Sequence, residues 1–338
     1  MNKNSPRHPT PPRKLPPTPP TVTATARPRS GVSEAIIDAA SDGQRLDNFL
    51  IKQLKGVPKS HIYRIVRKGE VRINGGRSAI NQRLNSGDRV RIPPIRLAES
   101  NTPTPSSAQL QQLRRAIIFE DERFLFINKP SGMAVHGGSG ISFGVIEGLR
   151  QLRPDAPFLE LGHRLDRDTS GVLVIAKRRS ALRGFQEELT SGRCDKRYIP
   201  LLRGRWQGGE RRINVPLLKY QQSSGERIVT VSPEGKNALS LFIPQQRFTN
   251  ATLMEVKLIT GRTHQVRVHA QHCDHPIAGD ERYGDREFNR SMAELGLKRL
   301  FLHAQSIRFT LPEIMTYDII APLDNTLEQI LPQLEPLA

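Results

Sequence analysis

The hydrophobic pattern divides the chain before any motif is considered. Residues 1–33, which include "PPRKLPPTPPTVTATARPRS", are basic and rich in proline and threonine. Such a segment buries too little apolar surface to offset its ordering entropy, and disorder is expected. A first compact unit is expected over 34–96. "GQRLDNFLIKQL" places Leu46, Phe49, Leu50 and Leu54 at helical spacing. In "VPKSHIYRIVRKGEVRING", Pro58 suits a helix start, Ile62, Ile65 and Val66 form an apolar stripe, and Gly69 suits the stop. "EVRINGGRSAI" reads as a strand and a tight turn, and "LNSGDRVRIPP" as a turn plus a closing strand.

Residues 97–112, "LAESNTPTPSSAQLQQ", read as a linker. A larger unit is expected over 113–333. "AIIFEDERFLFINK" offers two short strands, "GVIEGLRQL" a helix, and "GVLVIAK" a buried strand. "SALRGFQEELTSG" reads as a helix with Ser180 as its N-cap and Gly192 as its stop. Strands then dominate, in "KRYIPLLRG", "ERIVTVS", "NALSLFIPQQRF", "ATLMEVKLITGRTHQVRVHA" and "LFLHAQSIRFTLP". They do not alternate regularly with helices, which points to an α+β fold with a large mixed or antiparallel sheet.

Charge adds a partner to this outline. Lys and Arg number 51 against 33 Asp and Glu, a net charge of +18 spread over every region of the 338 residues. A polyanion, usually nucleic acid, is the partner such a balance suits; a merely solubilising basic surface is the alternative. Lys59, Arg64, Arg67 and Lys68 cover the polar side of the Ile62 helix. The two cysteines, Cys194 and Cys273, lie far apart and fit a reducing compartment. No run is long enough to cross a membrane, and no secretory-type apolar core stands at the start. The acid-poor N-terminus has the charge of an organellar transit peptide, but its prolines oppose the amphipathic helix such a peptide needs. A cytoplasmic monomer is expected.

Three clusters concentrate polar residues. "NKPSGMAVHGGSG" suits a loop whose backbone approaches a ligand, or a plain surface loop; it is no P-loop, lacking GxxxxGK[ST]. "GHRLDRDTSG" packs two aspartates among arginines. "GRTHQVRVHA", if a strand, sets Thr263, Gln265, Arg267 and His269 on one side and His264, Val266 and Val268 on the other, a stripe that suggests a lined cleft, with an exposed strand face as the alternative. No compact metal-ligand spacing such as HExxH occurs, and arginines beside Asp166 and Asp168 would compete with a divalent ion, so no metal is expected. Ser170 lies outside any GxSxG. A carboxylate among arginines is held in its charged form and can serve as nucleophile or cation stabiliser. Asp166 precedes a Thr-Ser-Gly turn able to fix it; for Asp168, turn capping or an ion pair is the simpler role.

Two resemblances give these clusters a meaning. "RLDNFL", "PKSHIYRIVRKGEVRING" and "GDRVRI" resemble the S4 RNA-binding domain, which implies structured RNA gripped through its backbone by Lys59, Arg64, Arg67 and Lys68. "GHRLDRDTSGVLVIAK" resembles the catalytic motif of the RluA-type pseudouridine synthases, and "INKPSGMAVH", "GRTHQVRVH" and "HPIAGDERYG" resemble its companions, in the family's order. The resemblance spans about residues 34–325. It implies a catalytic domain with a mixed, largely antiparallel central sheet, no cofactor, and isomerisation of specific uridines in 23S ribosomal RNA, free or in a large-subunit assembly intermediate. It implies Asp166 as the catalytic aspartate, attacking C1′, adding to C6 or assisting a glycal route. Tyr198 matches the tyrosine that stacks on the target base and helps remove the C5 proton, and Arg267 the basic partner of the aspartate. Arg164 matches an arginine that enters the RNA stack, and Arg262 is expected at phosphate or in a structural contact.

Overall fold

A computed structural model describes residues 31–38, 41–54, 57, 59–95, 105–137, 143–221 and 227–337. Most of the N-terminal segment and Pro58 lie outside that range. The chain forms two compact units, divided near residue 101.

The N-terminal unit comprises β1 (Ser33–Ile36), α1 (Leu46–Gln53), α2 (Lys59–Arg67), β2 (Arg72–Ile73), β3 (Gly76–Arg77) and β4 (Arg89–Ile92). Its four strands run in the order β1-β4-β2-β3. Ser33, assigned to the tail from sequence, pairs with Ile92 and belongs to β1. Leu46, Phe49 and Leu50 of α1 and Ile62, Ile65 and Val66 of α2 are buried in one core with Val90 and Ile92. Asn74 and Gly75 both have positive φ, the conformation that a two-residue Asn-Gly hairpin turn requires.

The second unit begins with α3 (Ser107–Arg115). This corrects the linker reading. Ser106 and Gln109 form a reciprocal capping box, and Leu113 is fully buried. Its packing partner is Gly148 of α4 (Val145–Leu152), where an added Cβ would lie 2.4 Å from the Leu113 side chain.

The strands that follow are β5 (Ile117–Glu120), β6 (Phe124–Lys129), β7 (Glu160–Leu161), β8 (Ser170–Ala176), β9 (Asp195–Arg203), β10 (Arg211–Asn214), β11 (Leu217–Gln221), β12 (Arg227–Val231), β13 (Leu239–Arg247), β14 (Ala251–Leu258), β15 (Leu302–Leu311) and β16 (Met315–Ile320). Ten of them form one sheet, along the path β10-β13-β14-β9-β15-β8-β6-β5 with β16 on β15 and β7 on β8. The pairings are antiparallel apart from β8 with β15. The architecture is therefore α+β with a mixed, largely antiparallel sheet. β11 and β12 form a separate two-stranded ribbon.

Both faces of the central sheet are covered. Leu173 and Ile175 of β8 enter one core with Leu125 and Ile127. Val172 and Val174 enter another with Phe124, Phe126, Phe309 and Tyr317. This alternation explains the unbroken apolar run of "GVLVIA": a strand buried on both sides has no polar face. The second core is flanked by α5 (Arg179–Thr190), whose N-cap is Arg178 rather than Ser180. Gly192, at φ +75°, follows that helix end.

The "GRTHQVRVHA" segment departs from the strand reading. Its residues from Gln265 form α6 (Gln265–His272). Gln265, Arg267 and His269 are all buried, so the polar alternation marks no solvent-facing side. Two further helices, α7 (Arg286–Glu294) and α8 (Asn325–Glu328), lie towards the C-terminus. Among the described residues no helix is long and apolar enough to cross a membrane.

Candidate active site

The loop before β8 is held from several directions. The Val174 amide of β8 donates to His163 Nε2 at 3.2 Å, and burial pushes the His163 pKa down to about 4, leaving a neutral acceptor. On its other side lies "NKPSG". Lys129 is fully buried, and its ammonium donates to the carbonyls of Pro130, Met133 and Arg167 at 2.8–2.9 Å. The Gly132 amide also donates to the Arg167 carbonyl, and Ser131 Oγ donates to that of Asp168 at 2.7 Å. The described part of this loop therefore clamps the aspartate loop. Asp168 pairs with its neighbour Arg167 at 3.1 Å.

Beyond Asp166, the Thr169 amide turns back to the Asp166 carbonyl. The chain then enters β8, where Gly171 has φ +112° and a Cβ would sit 2.2 Å from the Ala304 carbonyl oxygen. Only glycine lets β8 and β15 approach so closely at this φ. Ser170 Oγ is bonded to His303 Nδ1 and accepts from Arg299, both at 2.8 Å.

A cavity of about 60 Å³ opens at this end of the sheet, lined by Asp166, Tyr198, Arg267, Arg164, Arg262 and His264 with several apolar neighbours. The five residues expected from the catalytic-domain motifs thus meet, although they come from widely separated segments. Tyr198, on β9, pairs with Val256 and Ala304. Burial, reinforced by the negative charge of Asp166, raises its phenol pKa and keeps it protonated in the neutral range. Arg164 is exposed at the rim. Arg262 is tied down: its amide donates to Gln265 Oε1 at 2.9 Å and its Nε to the Asn237 carbonyl at 3.1 Å.

Arg267 has a different principal partner from the one expected. Its Nε and Nη2 donate to the two carboxylate oxygens of Asp280 at 2.7 and 2.8 Å. Its Nη1 lies 3.6 Å from Asp166 Oδ2. Burial opposes the Arg267 charge, but the bonds and charge of Asp280, then the charge of Asp166, raise its pKa. Asp280 also accepts the amides of Arg282 and Tyr283, and the Arg267 guanidinium lies 4.9 Å from the Tyr283 ring centre. The Asp166 side chain is 28% exposed, against 8% for Arg267 and 0% for Asp280. Of these three side chains, Asp166 is the one that solvent reaches most readily.

His264, Asp280 and Tyr283 were not among the site residues chosen from sequence. The last two lie in "HPIAGDERYG", a quoted motif in which an aspartate after glycine stands three positions before a tyrosine. The expected RNA contacts belong to the N-terminal unit, where Lys59, Arg64 and Arg67 of α2 and Lys68 just past its end are all exposed. Among the described residues, no three His, Cys, Asp or Glu side chains cluster as metal ligands do.

Residues 123–272 match the model of the RNA pseudouridylate synthase family, and residues 44–90 that of the S4 domain. Ribosomal large subunit pseudouridine synthase C of Haemophilus influenzae is 54% identical over 309 residues, covering 90% of this chain and 96% of that protein. The protein of the same name from Yersinia pestis is 56% identical over 298 residues, covering 87% and 93%. Among solved structures, human RNA Pseudouridylate Synthase Domain Containing 4 aligns with a TM-score of 0.56 at 25% identity, over 68% of this chain and 97% of that one. The chain belongs to the RNA pseudouridylate synthase family, in the branch that carries an S4 domain ahead of the catalytic domain.

Proposed function

We propose that this protein converts specific uridines of 23S ribosomal RNA to pseudouridine, with Asp166 as the reacting carboxylate. The relatives named for the ribosomal large subunit support the substrate. The observation that carries the mechanism is the part-exposed Asp166 in a cavity shared with Tyr198, Arg267 and Arg164.

The reaction breaks the N1–C1′ bond, turns the uracil and joins C5 to C1′. The C5 proton leaves and N1 gains one, so nothing is oxidised or reduced. Asp166 attacks C1′, adds to C6 or assists a glycal route, and in each case reacts as a carboxylate. Arg267, immobilised by Asp280, keeps a positive charge beside it. Tyr198, protonated and buried, offers a ring face for the uracil rather than a phenolate base. Reaching the cavity requires the uridine to leave its stack, at a cost of a few kcal/mol. Arg164 at the rim fills the vacated place, and Arg262 lies near the flanking backbone. Exposed Lys59, Arg64, Arg67 and Lys68 supply phosphate contacts. The protein acts as a cytoplasmic monomer on free RNA or an assembly intermediate.

Tritium release from RNA labelled at uridine C5 tests the chemistry: Asp166→Ala is expected to abolish it, and equal release by both proteins would remove Asp166 from its role. Pseudouridine mapping in cells lacking the gene tests the substrate. Loss of the modification from transfer RNA, with 23S RNA unchanged, would redirect the assignment.

A further inference from the structure

A chain of hydrogen bonds runs to a part-buried histidine beside Asp166. The Val229 amide donates to the Tyr283 hydroxyl oxygen at 3.0 Å. The hydroxyl proton is then free to serve the other contact, with His264 Nδ1 at 2.8 Å, and in that direction Nδ1 accepts. A neutral imidazole that accepts at Nδ1 carries its proton on Nε2. Nε2 is the nitrogen that faces Asp166 Oδ2, at 3.8 Å. Burial lowers the His264 pKa; Asp166 opposes that and Arg267 and Arg282 reinforce it, so the neutral form prevails.

The backbone gives no reason for histidine here. His264 has φ 54° and ψ 19°, in the left-handed region that glycine and asparagine occupy more readily. It stands at the N-cap of α6, yet its side chain caps nothing. The side chain instead spans from Tyr283 to Asp166. Arg267 Nη1 approaches the same carboxylate oxygen, Oδ2, which leaves Oδ1 for the substrate.

Granting Asp166 the role proposed above, we infer that His264 is a positioning residue: its Nε2–H, oriented by the Tyr283 hydroxyl, steadies Oδ2 so that Oδ1 points at the target nucleotide. The contact closes to hydrogen-bond length when the uridine enters. Because Val229 belongs to β12, the β11–β12 ribbon is tied into the same chain.

The test compares His264→Asn, His264→Gln and Tyr283→Phe in the tritium-release assay, at saturating and limiting RNA. Asparagine tolerates the left-handed backbone and keeps an amide near the Nδ1 position, but falls short of Asp166. Glutamine reaches the Nε2 position. His264→Asn is expected to lower kcat by roughly tenfold to a hundredfold with KM unchanged. His264→Gln recovers part of that loss, and Tyr283→Phe falls between. A wild-type kcat in His264→Asn, or equal losses in the Asn and Gln variants, overturns the inference. Nitrogen-15 NMR of the unsubstituted protein tests it without relying on any variant's folding: a proton on Nε2 is expected, and one on Nδ1 overturns it. Asp166→Ala, run alongside, separates the two claims, since activity in that variant defeats the assignment of Asp166 whatever His264 does.

Discussion

Arg267 gives Asp280 two short hydrogen bonds and leaves only Nη1 to face Asp166. The buried pair is thus the mount, and Asp166 meets the end of an arginine already fixed. Asp280→Asn leaves the Arg267 charge buried without its partner, at a cost on the order of 3–5 kcal/mol. Burial alone raises the Asp280 pKa, but Arg267 and the amides of Tyr283 and Arg282 outweigh it and the carboxyl ends lowered. A lowered folded-state value contributes stability that is present above the ordinary carboxylate range and lost as the pH falls through the folded value. Urea denaturation is therefore expected to show a wide gap between wild type and variant at neutral pH that narrows in acid.

Gly171→Ala is expected to disrupt the start of β8. The added Cβ would stand 2.2 Å from the Ala304 carbonyl, at a φ of +112° that alanine avoids. Overpacking and backbone strain together cost on the order of 2–6 kcal/mol. Thermal denaturation followed by circular dichroism should register a large fall in Tm, and tritium release should fall with it. An unchanged Tm would contradict the close approach of β8 and β15.

Lys129→Met removes the ammonium that clamps the carbonyls of Pro130, Met133 and Arg167. Burial pushes the Lys129 pKa down to about 7, whereas an unfolded lysine titrates near ~10.4. Between those values the unfolded chain binds more protons, so the Lys129 contribution to stability rises with pH; below about 7 the cost of burying the charge is fully present. Wild type should gain stability relative to the variant from neutral to alkaline pH, measured as the difference in urea midpoints. A constant difference would exclude a buried titrating lysine.

Replacing Lys59, Arg64, Arg67 and Lys68 with alanine is expected to weaken RNA binding without lowering kcat at saturating RNA. If each meets a phosphate, the slope of log affinity against log salt falls by about 3 to 4. Filter binding across a salt series measures it, and an unchanged slope would exclude this face from RNA contact.

Much of this molecule was legible in its sequence where local pattern and burial agree. β8 reads as a buried strand because both its faces are apolar, and α2 as a helix because its buried residues keep one stripe. The first residues of α3, 107–112, were read as linker since a short, polar helix announces itself only through the Ser106–Gln109 cap and the glycine that Leu113 packs on. α6 misled more deeply. Gln265 and Arg267 sit inside because specific partners satisfy them: Leu239, Ser240, Thr260 and Arg262 around the glutamine, Asp280 around the arginine. Period-two alternation suggests a strand lining a cleft; Gln265 and Arg267 do line the cavity, but from a helix, and partners distant in sequence leave no periodic trace. Asp280 was missed for the same reason: its role exists only once Arg267 folds against it.

The parallel register of Ser170 and Gly171 with His303 and Ala304 has a consequence in time. Tyr198 also pairs with Ala304, so the aspartate loop and the tyrosine strand are both braced by a strand near the C-terminus. Contacts this distant in sequence form slowly, and during synthesis β8 and β9 both precede the strand that braces them. A nascent chain that stops short of β15 carries every residue assigned to chemistry and still lacks the frame that brings them together. The site is therefore framed only after β15 has been made.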